Sequence, residues 1–160
     1  MPPRHWLMKS EPDVYSFDDL MREGKTFWNG VRNHAARNFM RDEMKPGDLA
    51  FFYHSNADPS GVVGVMEIVA KGRPDESQFD KKAGEDMGYD PKATREKPVW
   101  FGVDVAPRER LPRIVPLPEI KANPKLRAMK LLKVSRLSVS PVTPAEWKEV
   151  LAMSRKKSAP

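Results

Sequence analysis

Five successive apolar residues, Leu49-Ala-Phe-Phe-Tyr53, leave neither face of that segment polar. A chain containing such a run must cover it from both sides. Pro46-Gly47 turns the chain just before it and His54-Ser-Asn56 ends it, so its length suits a strand and not a helix. The spacing predicts a central strand at 49–54 with apolar layers on both faces. Its polar end, Tyr53-His-Ser-Asn56, is where that strand would surface and present side chains.

The remaining segments read as short elements that can serve as those layers. His5-Trp-Leu-Met is a short strand, and Pro12 marks a loop after it. Ser16, three residues before Asp19, predicts a capped helix through Leu20 and Met21 that ends at Gly24. Ala35, Ala36, Phe39, Met40 and Met44 fall on one helical face, opposite Arg37, Asn38, Arg41 and Asp42. Residues 62–69 form a β-branched strand, and Gly64 within it permits a bulge or a close backbone approach. Residues 71–98 are polar and irregular, expected to form a long surface loop with one helical turn. Their acids, Asp75, Glu76, Asp80, Glu85, Asp86 and Asp90, match no calcium loop and are expected to be solvated.

Residues 99–105 alternate as a strand, Pro107, Pro112, Pro116 and Pro118 keep the next stretch extended at a sheet edge, and Pro118 opens a short helix. Asn123-Pro124 opens a helix carrying Leu126, Met129 and Leu132. Residues 136–140 are the last predicted strand. Thr143-Pro-Ala-Glu146 is a capping box that launches a helix burying Trp147, Val150 and Leu151. One domain over 1–153 accounts for this, with 154–160 as a frayed basic tail. Strands and helices do not alternate regularly, so the expected class is α+β: a strongly bent sheet or open barrel with short helices packed outside.

The composition narrows function more than it assigns it. Cysteine is absent, which excludes disulfides and thiolate metal sites and suits an intracellular protein, cytoplasmic in a bacterium or nuclear in a eukaryote. No apolar run has the length of a membrane helix, and the N-terminus lacks a signal-peptide layout. His5, His34 and His54 show no metal-ligand spacing, and no phosphate-binding glycine loop or nucleophile motif is present, so no cofactor, metal or catalytic group is expected. The net charge of +6 gathers late in the chain: Lys121, Lys125, Arg127, Lys130, Lys133 and Arg136 lie in one stretch with no acid among them. Such a stretch attracts polyanions, or is the solvated face of a basic protein.

Trp28-Asn29-Gly30 lies before Arg32 and Asn33, at the start of the predicted helix. An aromatic face, amide edges and backbone N–H groups are what a flat, hydrogen-bonding ligand such as a nucleobase needs. A strand end and turn carrying a core tryptophan is the alternative reading, and the residues alone leave both open.

Several motifs in order carry a resemblance: Trp6-Leu-Met-Lys-Ser-Glu-Pro12, Trp28-Asn-Gly-Val-Arg-Asn33 with Ala36-Arg-Asn-Phe39, Gly47-Asp-Leu49 with Phe52-Tyr-His-Ser-Asn56, and Arg136-Leu-Ser-Val-Ser140 with Pro141-Val-Thr-Pro-Ala-Glu-Trp147. From Trp6 to Leu151 the chain resembles the EVE domain family. The resemblance implies a PUA-like fold: a strongly bent, mostly antiparallel β-barrel of about five or six strands flanked by short helices. It also implies non-catalytic recognition of a modified base in DNA or RNA, such as a methylated or hydroxymethylated cytosine, flipped into an aromatic pocket. On that basis Trp28 would stack on the base, and Lys9, Ser10, Asn29, Gly30, Asn33, Tyr53, His54 and Ser55 would line the pocket. Arg32, Arg136 and Ser138 would hold the backbone at its mouth, with Lys125, Lys130 and Lys133 as a supporting basic surface. His34 stands where relatives often carry another aromatic, which bears on pocket size. A monomer is expected, acting alone or beside a nuclease or restriction-type partner. The alternatives are an enzyme acting on nucleic acid through Glu11, Asp13 or His54, and a protein adaptor using the basic surface.

Overall fold

In the computed structural model, which describes residues 2–156, the segment Leu49–His54 (β3) is central as its composition demands. It pairs in parallel with His5–Ser10 (β1) and antiparallel with Gly61–Ile68 (β4). Ala50 and Phe52 enter one apolar cluster, with Trp6, Met8, Phe17, Trp28 and Met66. Phe51 and Tyr53 enter the other, with Leu7, Val65, Val115 and Trp147. Alternation along a strand sends neighbours to opposite faces, so an unbroken apolar run fills two layers at once.

The remaining strands are Thr26–Trp28 (β2), Arg73–Pro74 (β5), Phe101–Pro116 (β6) and Val139–Val142 (β7). They extend the sheet to the order β2-β6-β4-β3-β1-β7, with β5 beside the start of β6. Apart from β1–β3 the described pairings are antiparallel, and the result is a mixed α+β fold with a curled, half-barrel sheet. Its curl comes partly from register shifts of β4 against β3 and β6 on either side of Gly64. A side chain at Gly64 would collide with the Phe17 ring, so this glycine also lets a helix lie close on the sheet.

The proline-rich stretch is extended at a sheet edge, as expected, and is continuous with the strand before it. It is the second half of the long strand β6, paired with β4 from Val105 to Pro116, while β2 covers only Val103 to Val105 on the other side. That second side is open beyond Val105, which is why Pro107, Pro112 and Pro116 are tolerated. The last strand begins at Val139, three residues later than expected, because 134–138 is spent on a turn that Lys9 anchors.

Helix Phe17–Glu23 (α1) has the predicted box: Ser16 Oγ accepts from Asp19 N–H, and the Asp19 carboxylate accepts from Ser16 N–H. Gly24 closes it at φ +79°. The third apolar segment is a short helix, His34–Asn38 (α2), continued by a π-helical turn at Phe39–Glu43 in place of one regular helix, and Ala35 is exposed. Short helices Leu117–Ala122 (α3) and Lys130–Lys133 (α4) follow β6. The C-terminal helix Pro144–Ser154 (α5) has the Thr143–Glu146 box and stacks Trp147 on Phe51 at 3.8 Å. Ser154 thus belongs to a helix and not to a tail, and 157–160 lie outside the described residues.

Residues 71–98 depart most from expectation. They contain β5, two 3-10 turns at Glu76–Phe79 and Glu85–Met87, and a buried polar centre. Gln78 donates to the carbonyls of Asp75 and Trp100, and its Oε1 accepts from Val99 N–H and Trp100 N–H. Asp75, expected in solvent, is only 1% exposed. Asp90 accepts from the Trp100 indole N–H at 2.8 Å. The segment is held over the β2–β6 end of the sheet by side-chain hydrogen bonds to distant backbone, a pattern that hydropathy does not register.

Candidate functional site

Strand β2 ends at Trp28, whose ring packs edge-on against Phe52 at 5.3 Å and is 7% exposed. Gly102 lets β6 come close to the Trp28 carbonyl, where a side chain could not fit. Trp28 is therefore core on one side. On the other it lines a cavity of about 450 Å³, together with Lys9, Ser10, Tyr15, Thr26, Asn29, Gly30 and Ser138, a size within the range of small-ligand sites. Val14, Glu23, Phe27, Val31 and Arg32 complete the lining.

The Asn29-Gly30 turn is held from below. Gly30 has φ +79°, which glycine alone adopts readily, and its N–H donates to Asp75 Oδ2 at 2.7 Å. Arg32 does not reach outward as a phosphate contact. Its guanidinium donates to Asp75 Oδ2 (3.1 Å), Ser77 Oγ (2.8 Å), the Gly88 carbonyl (2.9 Å) and the Val31 carbonyl (3.1 Å). Ser77 donates to the other oxygen of Asp75 through both N–H and Oγ–H. Burial pushes the Asp75 carboxyl up, but the hydrogen bonds from Ser77, Gly30 and Arg32 outweigh it and hold the group below the ordinary aspartate value. The sequence motif thus shows Arg32 at the cavity wall, while its charge is used to fasten that wall.

A second hollow of about 400 Å³ adjoins the first across Lys9, Ser10 and Ser138 and includes Tyr53, Ser55, Asn56 and the exposed Arg136. Lys9 stands between the two. Its ammonium donates to the Ser135 carbonyl at 2.8 Å and lies 5.9 Å from the Tyr53 ring centre, while its backbone N–H donates to the Ser138 carbonyl. Burial lowers the Lys9 pKa and raises that of Tyr53. Ser10 Oγ donates to the Tyr15 carbonyl, closing the loop that forms one rim.

Two expected pocket residues sit elsewhere for identifiable reasons. Asn33 is the N-cap of α2, its Oδ1 accepting from Ala36 N–H at 3.0 Å, and it does not border the cavity. Asn33→Ala is expected to cost about 1 kcal/mol, and affinity for any ligand of the Trp28 cavity should stay unchanged. Thermal melting read beside a binding titration checks both halves. His54 Nε2 accepts from Phe17 N–H at 3.1 Å, and burial pushes its imidazole down toward the neutral form that can accept. His54 thus fixes α1, and with Glu11 accepting from Asn56 it forms no acid–base pair. His34 lies against Trp100 at 4.8 Å, outside the cavity, so its identity does not set the pocket's size.

The basic surface divides as well. Lys125 is 3.9 Å from Glu149, and Lys133 is exposed without bordering either hollow. Lys130 borders another cavity, of about 480 Å³, beside Pro2, Pro3 and Arg4. That cavity and a neighbour of about 470 Å³ are as large as the Trp28 site, but many of their polar groups are occupied within the fold. Arg4 pairs with Glu43, Asp48 accepts from Arg4 N–H, Trp6 Nε1–H and Lys45 N–H, and Glu146 closes the cap of α5. In the Trp28 cavity an aromatic wall meets the polar side chains of Lys9, Ser10, Thr26, Asn29 and Ser138. Tyr15, Glu23 and Thr26 in its lining, and Asp75 behind its wall, were not legible from sequence. The available signal was that Ser16 and Gly24 bracket a short helix, with Tyr15 just before it, Glu23 at its end and Thr26 opening β2.

The EVE domain model matches residues 4–153. Thymocyte nuclear protein 1 of Gallus gallus is 41% identical over 172 residues, covering 96% of this chain and 69% of that protein. Among solved structures, the human THYN1 protein in complex with 5-methylcytosine-containing DNA superposes with a TM-score of 0.90 at 38% identity, covering 97% of this chain and 99% of that one. A hypothetical protein from Leishmania major superposes at 0.89 with 42% identity, covering 95% and 94%. With the fold, the ordered motifs and these matches in agreement, the chain belongs to the EVE domain family.

Proposed function

We propose that this chain is a non-catalytic reader of a modified base in nucleic acid, with 5-methylcytosine in DNA as the first candidate. The base leaves the stack and enters the cavity beside Trp28, where Lys9, Ser10, Asn29 and Ser138 face its edge. Tyr53, Ser55 and Arg136 in the adjoining hollow take the sugar and phosphate next to it. What carries this reading is the similarity, over 97% of the chain, to the human THYN1 protein, whose structure holds 5-methylcytosine-containing DNA. The cavity's aromatic wall and mixed polar rim suit such a ligand, since stacking tolerates any base while edge contacts select among them.

The test is a titration of the protein with matched oligonucleotides carrying cytosine, 5-methylcytosine, 5-hydroxymethylcytosine or N6-methyladenine at one position, in DNA and in RNA. Burying one methyl group contributes about 0.8 kcal/mol, so at least about fourfold tighter binding of 5-methylcytosine over cytosine is expected. Equal affinity for every modified and unmodified strand would overturn the reading.

A further inference from the structure

The residues lining the Trp28 cavity include one acid, Glu23, the last residue of α1 before the Gly24 turn. Its position has no evident electrostatic benefit. A carboxylate at a helix C-terminus meets the negative end of the helix dipole. A carboxylate beside a nucleic-acid site also repels phosphate. Although Glu23 is exposed, one of its carboxylate oxygens is held: the Tyr15 hydroxyl donates to Glu23 Oε1 at 2.6 Å. Burial, followed by this hydrogen bond, pushes the Tyr15 phenol up to about 12, so it remains a donor throughout the neutral range. Among the described residues, Glu23 Oε2 has no hydrogen-bond partner, and the residue borders the cavity.

An ionised carboxylate can only accept hydrogen bonds. At the 4-position cytosine carries an amine that donates, as adenine N6 and guanine N2 also do, whereas thymine and uracil present O4 there, an acceptor that a carboxylate repels. Lys9 and Asn29, which line the same cavity, carry N–H donors suited to the remaining acceptors of a cytosine. We infer that Glu23 determines specificity by accepting from the exocyclic amine of the bound base, so that the cavity takes 5-substituted cytosine and rejects the corresponding 5-substituted uracil. This rests on the base-reader function proposed above.

Thymine is 5-methyluracil, so it isolates the 4-position while keeping the methyl group. Single-stranded oligonucleotides identical except for one central 5-methylcytosine, cytosine or thymine are titrated against the wild type, Glu23→Gln and Glu23→Ala. Single strands remove any difference in base-pair opening. The wild type is expected to favour 5-methylcytosine over thymine by about tenfold. In Glu23→Gln, whose amide can also donate to O4, that ratio should fall to about twofold or less while the preference for 5-methylcytosine over cytosine persists. Glu23→Ala, a second variant that only deletes the carboxylate, should lose the ratio likewise. A wild-type ratio retained in both variants overturns the assignment, as does a wild type that separates 5-methylcytosine from cytosine but not from thymine. A wild type that does not separate 5-methylcytosine from cytosine removes the base-reader function itself, and this inference with it.

Discussion

Trp28→Ala is expected to lose both stability and base selectivity, and the two losses have different origins. The ring is 7% exposed and packs edge-on with Phe52, inside the cluster that also holds Phe17, Met66 and Val103. Truncating a core aromatic costs about 3–5 kcal/mol, which in a chain of this size lowers Tm by about 10 °C. The same ring faces the cavity, where stacking on a base contributes roughly 1–3 kcal/mol. Affinity for a 5-methylcytosine oligonucleotide should therefore fall by tenfold or more at a temperature where the variant is still folded. Trp28→Phe separates the effects, because it keeps an aromatic face while giving up part of the packing. Its binding should lie much nearer to wild type than that of the alanine variant. Denaturation curves and titrations of all three proteins decide the matter: a folded Trp28→Ala that binds the modified strand as tightly as wild type would make Trp28 core and nothing more.

That double role explains why the turn at Trp28 admits two readings from sequence and why each is partly correct. What depended on neighbours in the chain was legible. The Ser16 and Thr143 boxes are complete within four residues, and the 49–53 run announces its two-sided burial by composition alone. What depended on distant partners was not. Asp75 reads as one more acid in a polar loop until Gly30 N–H and Arg32, more than forty positions earlier, are placed against it. Asn33 and His54 read as ligand groups because a polar side chain in a motif looks the same whether it serves a ligand or the backbone. The structure gives each a backbone N–H to accept from, Ala36 and Phe17 respectively. Tyr15 and Glu23 stand at the two ends of a helix that the sequence does announce, but their place beside Trp28 appears only once those ends are set next to β2.

Asp75 is where these distant contacts concentrate, and its replacement should loosen the cavity without touching its lining. In Asp75→Asn the side-chain amide cannot accept on both sides, so either Gly30 N–H and Arg32 or the Ser77 donors lose their partner. Leaving a largely buried guanidinium and a backbone N–H short of an acceptor costs about 3 kcal/mol. The loss should depend on pH in a definite direction. The carboxyl is held below its ordinary value in the folded chain, so as pH falls the unfolded chain takes up its proton first. The stabilisation from Asp75 is then complete above about pH 4 and disappears as pH drops through the folded-state value. Urea midpoints at pH 7 and pH 3 should therefore differ less for Asp75→Asn than for wild type, with the variant weaker at pH 7 and approaching wild type in acid. Affinity for the modified strand at pH 7 should fall as well, because Gly30 N–H no longer fixes the Asn29 turn that faces the ligand. An Asp75→Asn protein with wild-type stability at pH 7, or with an undiminished response to acid, would show that the wall behind Trp28 is held by something other than this carboxylate.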